Sequence, residues 1–333
     1  MQTGGWIGDM VLLTPALRAV KLAYPQSHLA LMLRPLVADV MATHPYLDEV
    51  IVDTKDRYQS RLKSVWKAAN AIRRSRFNLA IILHPTSFRN ALIPFLAGVP
   101  ERVGSDMSGR GILLTRSRRG RTDLHEIHRY LGVLELIDIH EPDATLEFWH
   151  TDAERNVVRQ ILADHSISST ERVIGVNLGT TWQTKRWPLE KFATVMTQMQ
   201  SRLGAPLILT GSAAEVPLGE ALGQMTEGGL VNLIGKTTLT QLGALIERCA
   251  LYLTCDSGPM HIAAAVGTPT IALFGPTSPT RHRPYGEGHC VIEKAVECRP
   301  CYKRACQRKD APNLCMTEIK AEEVVEKIIQ LTK

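Results

Sequence analysis

The 333 residues are 44% hydrophobic and 22% charged, a balance that excludes disordered and fibrous classes, and the length suits two domains. No apolar run approaches the 18 residues of a membrane span, and Met1 to Gly5 lack the basic and apolar regions of a signal peptide, so the cytoplasm is the expected compartment. The net charge is +6, of which the distribution along the chain matters more than the sum, and seven cysteines without a signal argue for thiols or a metal rather than a disulfide framework.

In chain order, the loop Gly4-Gly5-Trp6-Ile7-Gly8 leads into an apolar helical run, Val11–Ala23. Asp9 sits at the junction, either as an ordinary helix cap or as a carboxylate held at a site. Strands are expected at His28–Leu33, Val50–Val52 and Leu79–Leu83, and helices at Leu62–Arg74 and Glu126–Leu136. The strand end Ile81-Ile82-Leu83 enters a polar loop at His84. That histidine reads as a satisfied strand-end residue or as a substrate contact. Residues 101–129 hold seven arginines. Arg110, Arg116, Arg118 and Arg119 fit either a solvated face or a site for a phosphorylated acceptor at a membrane surface. Little aromatic interleaving accompanies them, which speaks against nucleic acid.

Residues 140–152 read as a linker into a second α/β unit. Strands recur at Val173–Asn177, Pro206–Thr210, Leu230–Leu233, Leu251–Thr254 and Thr270–Phe274. Helices lie between them at Leu189–Leu203, Leu239–Arg248 and Met260–Val266. This rhythm predicts parallel sheets flanked by helices. Three strand ends carry chemistry. The first opens into Gly179-Thr180-Thr181 and Lys185. The second opens into Gly211-Ser212 and Glu215. The third opens into Asp256-Ser257-Gly258-Pro259, with His261 one turn into the following helix. Hydroxyls, a cation and exposed helix-start N–H groups suit a diphosphate. Cys298, Cys301, Cys306 and Cys315 fall within 18 residues. Their spacing allows a tetrahedral structural zinc, disulfides or free thiols. Cys249, Cys255 and Cys290 read as packing residues.

Taken together, Ile7-Gly8-Asp9 with Thr14-Pro15-Ala16-Leu17, Thr180-Thr181 through Lys185-Arg186-Trp187-Pro188, and Asp256 to His261 resemble the ADP-heptose:lipopolysaccharide heptosyltransferases, most closely the II type. The resemblance is near full length, and the order and spacing of the motifs are more specific than any one of them. It implies a GT-B architecture, two Rossmann-like domains facing a cleft. It places an acceptor-binding domain at 1–150, an ADP-sugar-binding domain at 151–316, and a final helix at 317–333 that packs back toward the first domain. It also implies a first strand ahead of the Gly-Asp loop, for which Met1 to Gly5 offer no β-branched run.

The implied reaction moves heptose from ADP-L-glycero-D-manno-heptose to the lipopolysaccharide inner core with inversion, in a monomer at the inner face of the inner membrane. The sugar hydroxyl needs a base, for which Asp9 is the candidate. The leaving ADP gains charge, to be met by Lys185, Thr180, Thr181, the Ser257–Gly258 helix start and His261. Asp256 is expected to fix its loop or touch the heptose, and Glu215 to hold a ribose or sugar hydroxyl. Trp187-Pro188 is expected to pack at a helix start. No cofactor is required for catalysis. Two other readings remain at this level: a GT-B enzyme using a UDP-sugar, and a non-catalytic anion- or nucleic-acid-binding module.

Overall fold

A computed structural model describes residue 1 and residues 5–42, 44–53, 60–226 and 228–332. The chain divides into two compact units, Met1–Leu146 and Glu147–Lys333. The division falls four residues before the boundary expected from sequence.

The first unit opens with two helices, α1 (Ile7–Leu12) and α2 (Thr14–Ala23), where the sequence reads as one. Pro15 explains the break. It has no N–H to donate and is tolerated only in a first turn, so a new helix starts at Thr14, whose hydroxyl bonds back to the Val11 carbonyl. There follow β1 (Ala30–Leu33), α3 (Ala38–Ala42), β2 (Glu49–Val52), α4 (Arg61–Ser75), β3 (Leu79–Ile82), α5 (Phe88–Leu96), β4 (Glu101–Asp106), β5 (Arg116–Arg119) and α6 (Glu126–Leu134). β1 pairs with β2, and β3 with β4 and β5 in turn, all parallel. Met1 adds one parallel rung opposite Leu31: its nitrogen donates to the Ala30 carbonyl, and its carbonyl accepts from Met32 N at 2.9 Å. The rest of the expected first-strand position, residues 2–4, lies outside the described residues.

The arginine-rich stretch, read from sequence as a solvated face or an acceptor site with no strand assigned, contains β4 and β5. β5 is Arg-Ser-Arg-Arg and has no apolar face to reveal it. Backbone pairing holds it, and its charged side chains suit a sheet edge.

The second unit holds α7 (Asp152–Asp164), β6 (Val173–Asn177), α8 (Leu189–Leu203), β7 (Leu207–Thr210), α9 (Val216–Met225), β8 (Leu230–Asn232), α10 (Leu239–Glu247), β9 (Cys249–Cys255), α11 (Gly258–Ala265), β10 (Thr270–Phe274), α12 (Pro279–His282), β11 (Cys290–Glu293), α13 (Leu314–Thr317) and α14 (Ala321–Thr332). All six strands are parallel, in the order β8-β7-β6-β9-β10-β11. That is the 3-2-1-4-5-6 order of a doubly wound sheet, and the chain reverses direction across the sheet between β6 and β9.

β6, β7 and β10 are buried at every residue, as strands covered on both faces must be. Ile174 and Val176 join one core with Phe192 and Met196 of α8 and Val324, Val325 and Ile328 of α14. Val173 and Ile208 join the other, with Val158 and Leu162 of α7 and Leu245 of α10. The final helix, which the resemblance implies packs back toward the first domain, is part of the second unit's core, where three apolar side chains at about 1.5–3 kcal/mol each hold it.

Candidate active site

In a doubly wound sheet the ligand crevice lies beyond the carboxyl ends of the strands, at the switch point. The residues singled out for donor binding fall there. Thr180 and Lys185 follow β6, Glu215 follows β7, and Asp256 to His261 follow β9. Asn177, the last residue of β6, ties the switch point together. It donates to the Thr210 carbonyl, while its Oδ1 accepts from the Thr254 and Ser257 hydroxyls.

Lys185 and Asp256 form the centre of the site. Lys185 Nζ lies 2.7 Å from Asp256 Oδ2, with the two side chains 15% and 6% exposed. Thr277, just beyond β10, donates its hydroxyl to the same carboxylate oxygen at 2.5 Å. Burial by itself would raise the Asp256 carboxyl. The Lys185 charge, the nearby His282 and the two hydrogen bonds outweigh it and hold the group below the usual carboxylate range. Asp256 thus holds Lys185, on the loop after β6, by an ion pair. Lys185 also sits 4.7 Å from the centroid of the Trp182 ring, and the Arg304 guanidinium 5.3 Å from the same centroid.

The other donor-site residues are placed as follows. Thr180 is buried and gives its hydroxyl to the Trp182 carbonyl at 2.6 Å, so it shapes the loop, while Thr181 is exposed beside it. Glu215 accepts from Ser212 N at 2.6 Å and from the Ser212 hydroxyl at 3.1 Å. Its carboxylate leans over Gly179, where a Cβ would fall 1.5 Å from Oε1. Glycine there allows the β6 and β7 loops to close on each other. Ser257 caps α11, and its hydroxyl pairs with that of Thr254 at 2.9 Å. Gly258 and Pro259 open the helix directly after the β9 strand end, and His261 is buried one turn in. Trp187 is packing, as expected. Its indole donates to the Ile319 carbonyl at 3.1 Å and meets Phe192 edge-on.

In the first unit, Asp9 is not the N-cap. The helix begins two residues earlier, and Asp9 in its first turn accepts from Trp6 N at 3.4 Å, a half-exposed carboxylate at the positive end of the helix.

The arginines do not form one acceptor patch. Arg110 is fully buried, which removes it from the acceptor candidates. Its guanidinium donates to the Ser105 carbonyl and hydroxyl and to the His84 carbonyl, tying β4 to the loop after β3, and burial pushes it down to about 10. Arg116 pairs with Glu101 at 3.3 Å and Arg118 with Glu135 at 2.6 Å; Arg119 is exposed on the same strand. His84 is a strand-end residue whose Nδ1 accepts from Ser87 N at 3.1 Å.

All seven cysteines are free thiols. Among the described residues no group of three or more His, Cys, Asp or Glu stands close enough to hold a metal ion, the quartet at 298–315 included. Burial pushes the Cys315 thiol up, and the neighbouring Cys298, Cys301 and Cys306 add to the shift. Cys306 Sγ accepts from Asn313 N at 3.3 Å. Cys249 and Cys255 are buried packing residues pushed up to about 12 by burial.

Sequence reasoning missed Thr277, His282, Asn177 and Arg304. The first two follow β10, and the strand-end rule that selected Asp256 applies equally to Gly275-Pro276-Thr277.

A 3-2-1-4-5-6 parallel sheet, with a cation, a carboxylate and a helix start at its switch point, defines a nucleotide-binding Rossmann unit. The sequence model of glycosyltransferase family 9 (heptosyltransferase) matches residues 65–311, and the chain belongs to that family. The protein is therefore a glycosyltransferase of GT-B fold. It is 28% identical to lipooligosaccharide heptosyltransferase 2 of Haemophilus influenzae, over 98% of this chain and 96% of that protein. It is 30% identical to lipopolysaccharide heptosyltransferase 2 of Salmonella typhimurium, over 82% of this chain and 81% of that one. Among solved structures, a family 9 glycosyl transferase from Veillonella parvula aligns with a TM-score of 0.85 at 26% identity, covering 100% of this chain and 95% of that one. The Escherichia coli ADP-heptose LPS heptosyltransferase II aligns with a TM-score of 0.80 at 25% identity, covering 99% and 97%. Among the described residues no helix is long and apolar enough to cross a membrane.

Proposed function

We propose that the protein transfers an L-glycero-D-manno-heptosyl group from ADP-heptose to the inner core of lipopolysaccharide, with inversion, as a heptosyltransferase of the II type. The observation that carries this is the Lys185–Asp256 pair at the β6/β9 switch point, set in a chain similar over nearly its whole length to heptosyltransferases 2.

The chemistry divides among named residues. The leaving ADP gains charge on its β-phosphate as the anomeric bond breaks. Lys185 swings its ammonium between Asp256 and that phosphate, so the cation is already oriented and little rearrangement is needed. The helix-start N–H groups of Ser257–Gly258 and the Thr181 hydroxyl complete the phosphate cradle, with His261 behind them. Glu215, held by Ser212, receives a ribose or sugar hydroxyl. Asp9 accepts the proton of the attacking acceptor hydroxyl. These donors meet the developing charge without a divalent cation. The exposed arginines of β5, Arg119 foremost, offer a surface for a phosphorylated acceptor, and the enzyme works as a monomer at the cytoplasmic face of the inner membrane.

Nucleotide-dependent thermal stabilisation tests the donor assignment. At 100 times its Kd, ADP should stabilise by about 2.7 kcal/mol and raise the melting temperature, while UDP and a short oligonucleotide leave it unchanged. Stabilisation by UDP instead of ADP would overturn the donor, and stabilisation by the oligonucleotide alone would overturn the reading as a transferase site.

A further inference from the structure

Between β11 and α13 the chain runs through residues 294–313 without a helix or strand. A connection of that length is uncommon in a compact unit and usually serves a function. Its first half holds Arg299, Tyr302, Lys303 and Arg304, cations around one aromatic ring. Arg299 anchors it. The side chain is 8% exposed, and its guanidinium donates to the carbonyls of Gly275 and Thr277, the latter at 3.2 Å, and to Glu293 of β11 at 2.6 Å. A planar fork that meets several acceptors at once fixes their geometry as an ammonium would not.

Tyr302 grips the loop after β10 in three ways. Its backbone N donates to the Pro276 carbonyl at 2.9 Å, and its hydroxyl accepts from Ser278 N at 3.3 Å. Its ring lies 5.2 Å from the Arg281 guanidinium and meets His282 edge-on at 6.0 Å. The residue has φ of +53°, a region disfavoured for a bulky side chain, which persists where surrounding contacts over-determine it. These contacts fall on the groups around Asp256: Thr277 donates to its carboxylate, and His282 lies near it. The same segment reaches the other side of the ion pair. The Lys303 carbonyl accepts from the hydroxyl of Thr184, buried immediately before Lys185, at 2.7 Å. Arg304 faces the Trp182 ring, as Lys185 does.

We propose that Tyr302, anchored by Arg299, is a positioning residue for the Lys185–Asp256 pair. The strap 299–304 is tied to both loops that meet there and fixes their spacing, so that the Lys185 ammonium stands where a leaving diphosphate needs it. Tyr302 acts through Thr277, His282 and Thr184 rather than on the reacting atoms. The proposal rests on the reading of this pair as the donor site.

Two variants loosen the strap from opposite sides. Tyr302→Phe keeps the ring and removes the acceptor of Ser278 N, and Thr184→Val keeps the shape and removes the bond to the Lys303 carbonyl. Each should lower kcat for transfer from ADP-heptose by about tenfold with the donor KM within about twofold, and Thr184→Ser should restore it. In a Lys185→Ala background the same changes should cost less than about twofold more, because their effect passes through the ammonium. Losses that stay tenfold there, or that fall on KM with kcat unchanged, would overturn the proposal. A second readout needs no substrate: acetylation of the free protein by acetic anhydride, followed by mass at each lysine. Loosening the strap should speed acetylation of Lys185 by about threefold relative to the exposed Lys236. If the parent failed to turn over ADP-heptose, the donor reading would fall and the labelling would decide this proposal alone; an unchanged rate at Lys185 rejects it. Should Tyr302→Phe fail to fold, Thr184→Val and its serine rescue carry the test.

Discussion

Replacing Lys185 by alanine removes one partner of a buried ion pair and leaves Asp256, 6% exposed, without its main counter-charge. Breaking such a pair typically costs about 3–5 kcal/mol. Thr277 still donates to the carboxylate and His282 remains nearby, so about 2–4 kcal/mol is expected here. For a unit of this size that lowers the melting temperature by about 5–15 °C. The pH dependence identifies the cause. In the parent protein the Asp256 carboxyl is held below its unfolded value of about 3.9, so the pair's stabilisation is present above that value and fades as pH falls through the folded one. In Lys185→Ala the largest lowering influence is gone and burial dominates, so the carboxyl rises above its unfolded value. The variant's penalty is then full above the raised value and relieved as pH falls through it. The gap in melting temperature between parent and variant should therefore be wide at about pH 8 and narrow toward about pH 4.5, read by calorimetry. Asp256→Asn in the same background should recover part of the loss. A gap independent of pH, with no recovery, would refute the reasoning.

The other expectations concern separate parts of the site. Asp9→Asn should leave ADP affinity nearly intact and lower turnover by about two orders of magnitude, the scale of a general base; near-parental turnover would reduce Asp9 to a structural part in the first turn of α1. Gly179→Ala would place a Cβ on the Glu215 carboxylate and push it aside. Calorimetric ADP affinity should then fall several-fold while the fold survives, and unchanged affinity would detach Glu215 from the nucleotide. Arg110→Ala should destabilise the first unit by about 3 kcal/mol through its orphaned carbonyl partners, without a selective rise in acceptor KM; the opposite pattern would return Arg110 to the acceptor site. As placed, the four thiols at 298–315 do not converge on a common point, so elemental analysis of protein made with zinc and reductant should find well under one equivalent. A full equivalent, lost in Cys301→Ser, would show that they close around a metal.

The second unit was largely legible because its central strands are short, mostly apolar runs followed by glycine, hydroxyl or acidic residues. Val173–Asn177 and Thr270–Phe274 were expected at the residues where they lie. The strand-end motifs could be read for the same reason: a doubly wound sheet gathers its strand ends at one edge. What the pattern hid was held by particular contacts. Arg116–Arg119 is a strand by backbone pairing alone, which no side-chain alternation announces. Arg110 looked like a surface cation, and only the fold brings the Ser105 and His84 carbonyls around it. The helix after Trp6 breaks at Leu13 because Pro15 interrupts an otherwise continuous apolar period. Thr277 lacked a charge to draw attention, yet it donates to the central carboxylate.

The central claim, heptosyl transfer from an ADP-activated donor, is tested most directly by incubating the purified protein with ADP-L-glycero-D-manno-heptose and lipopolysaccharide acceptors truncated at defined core positions. The products are then followed by mass. The account predicts addition of a single heptose to one inner-core acceptor, with ADP released in equal amount and the anomeric configuration inverted. Absence of transfer to every truncated core, or transfer from a UDP-sugar in place of ADP-heptose, would contradict it.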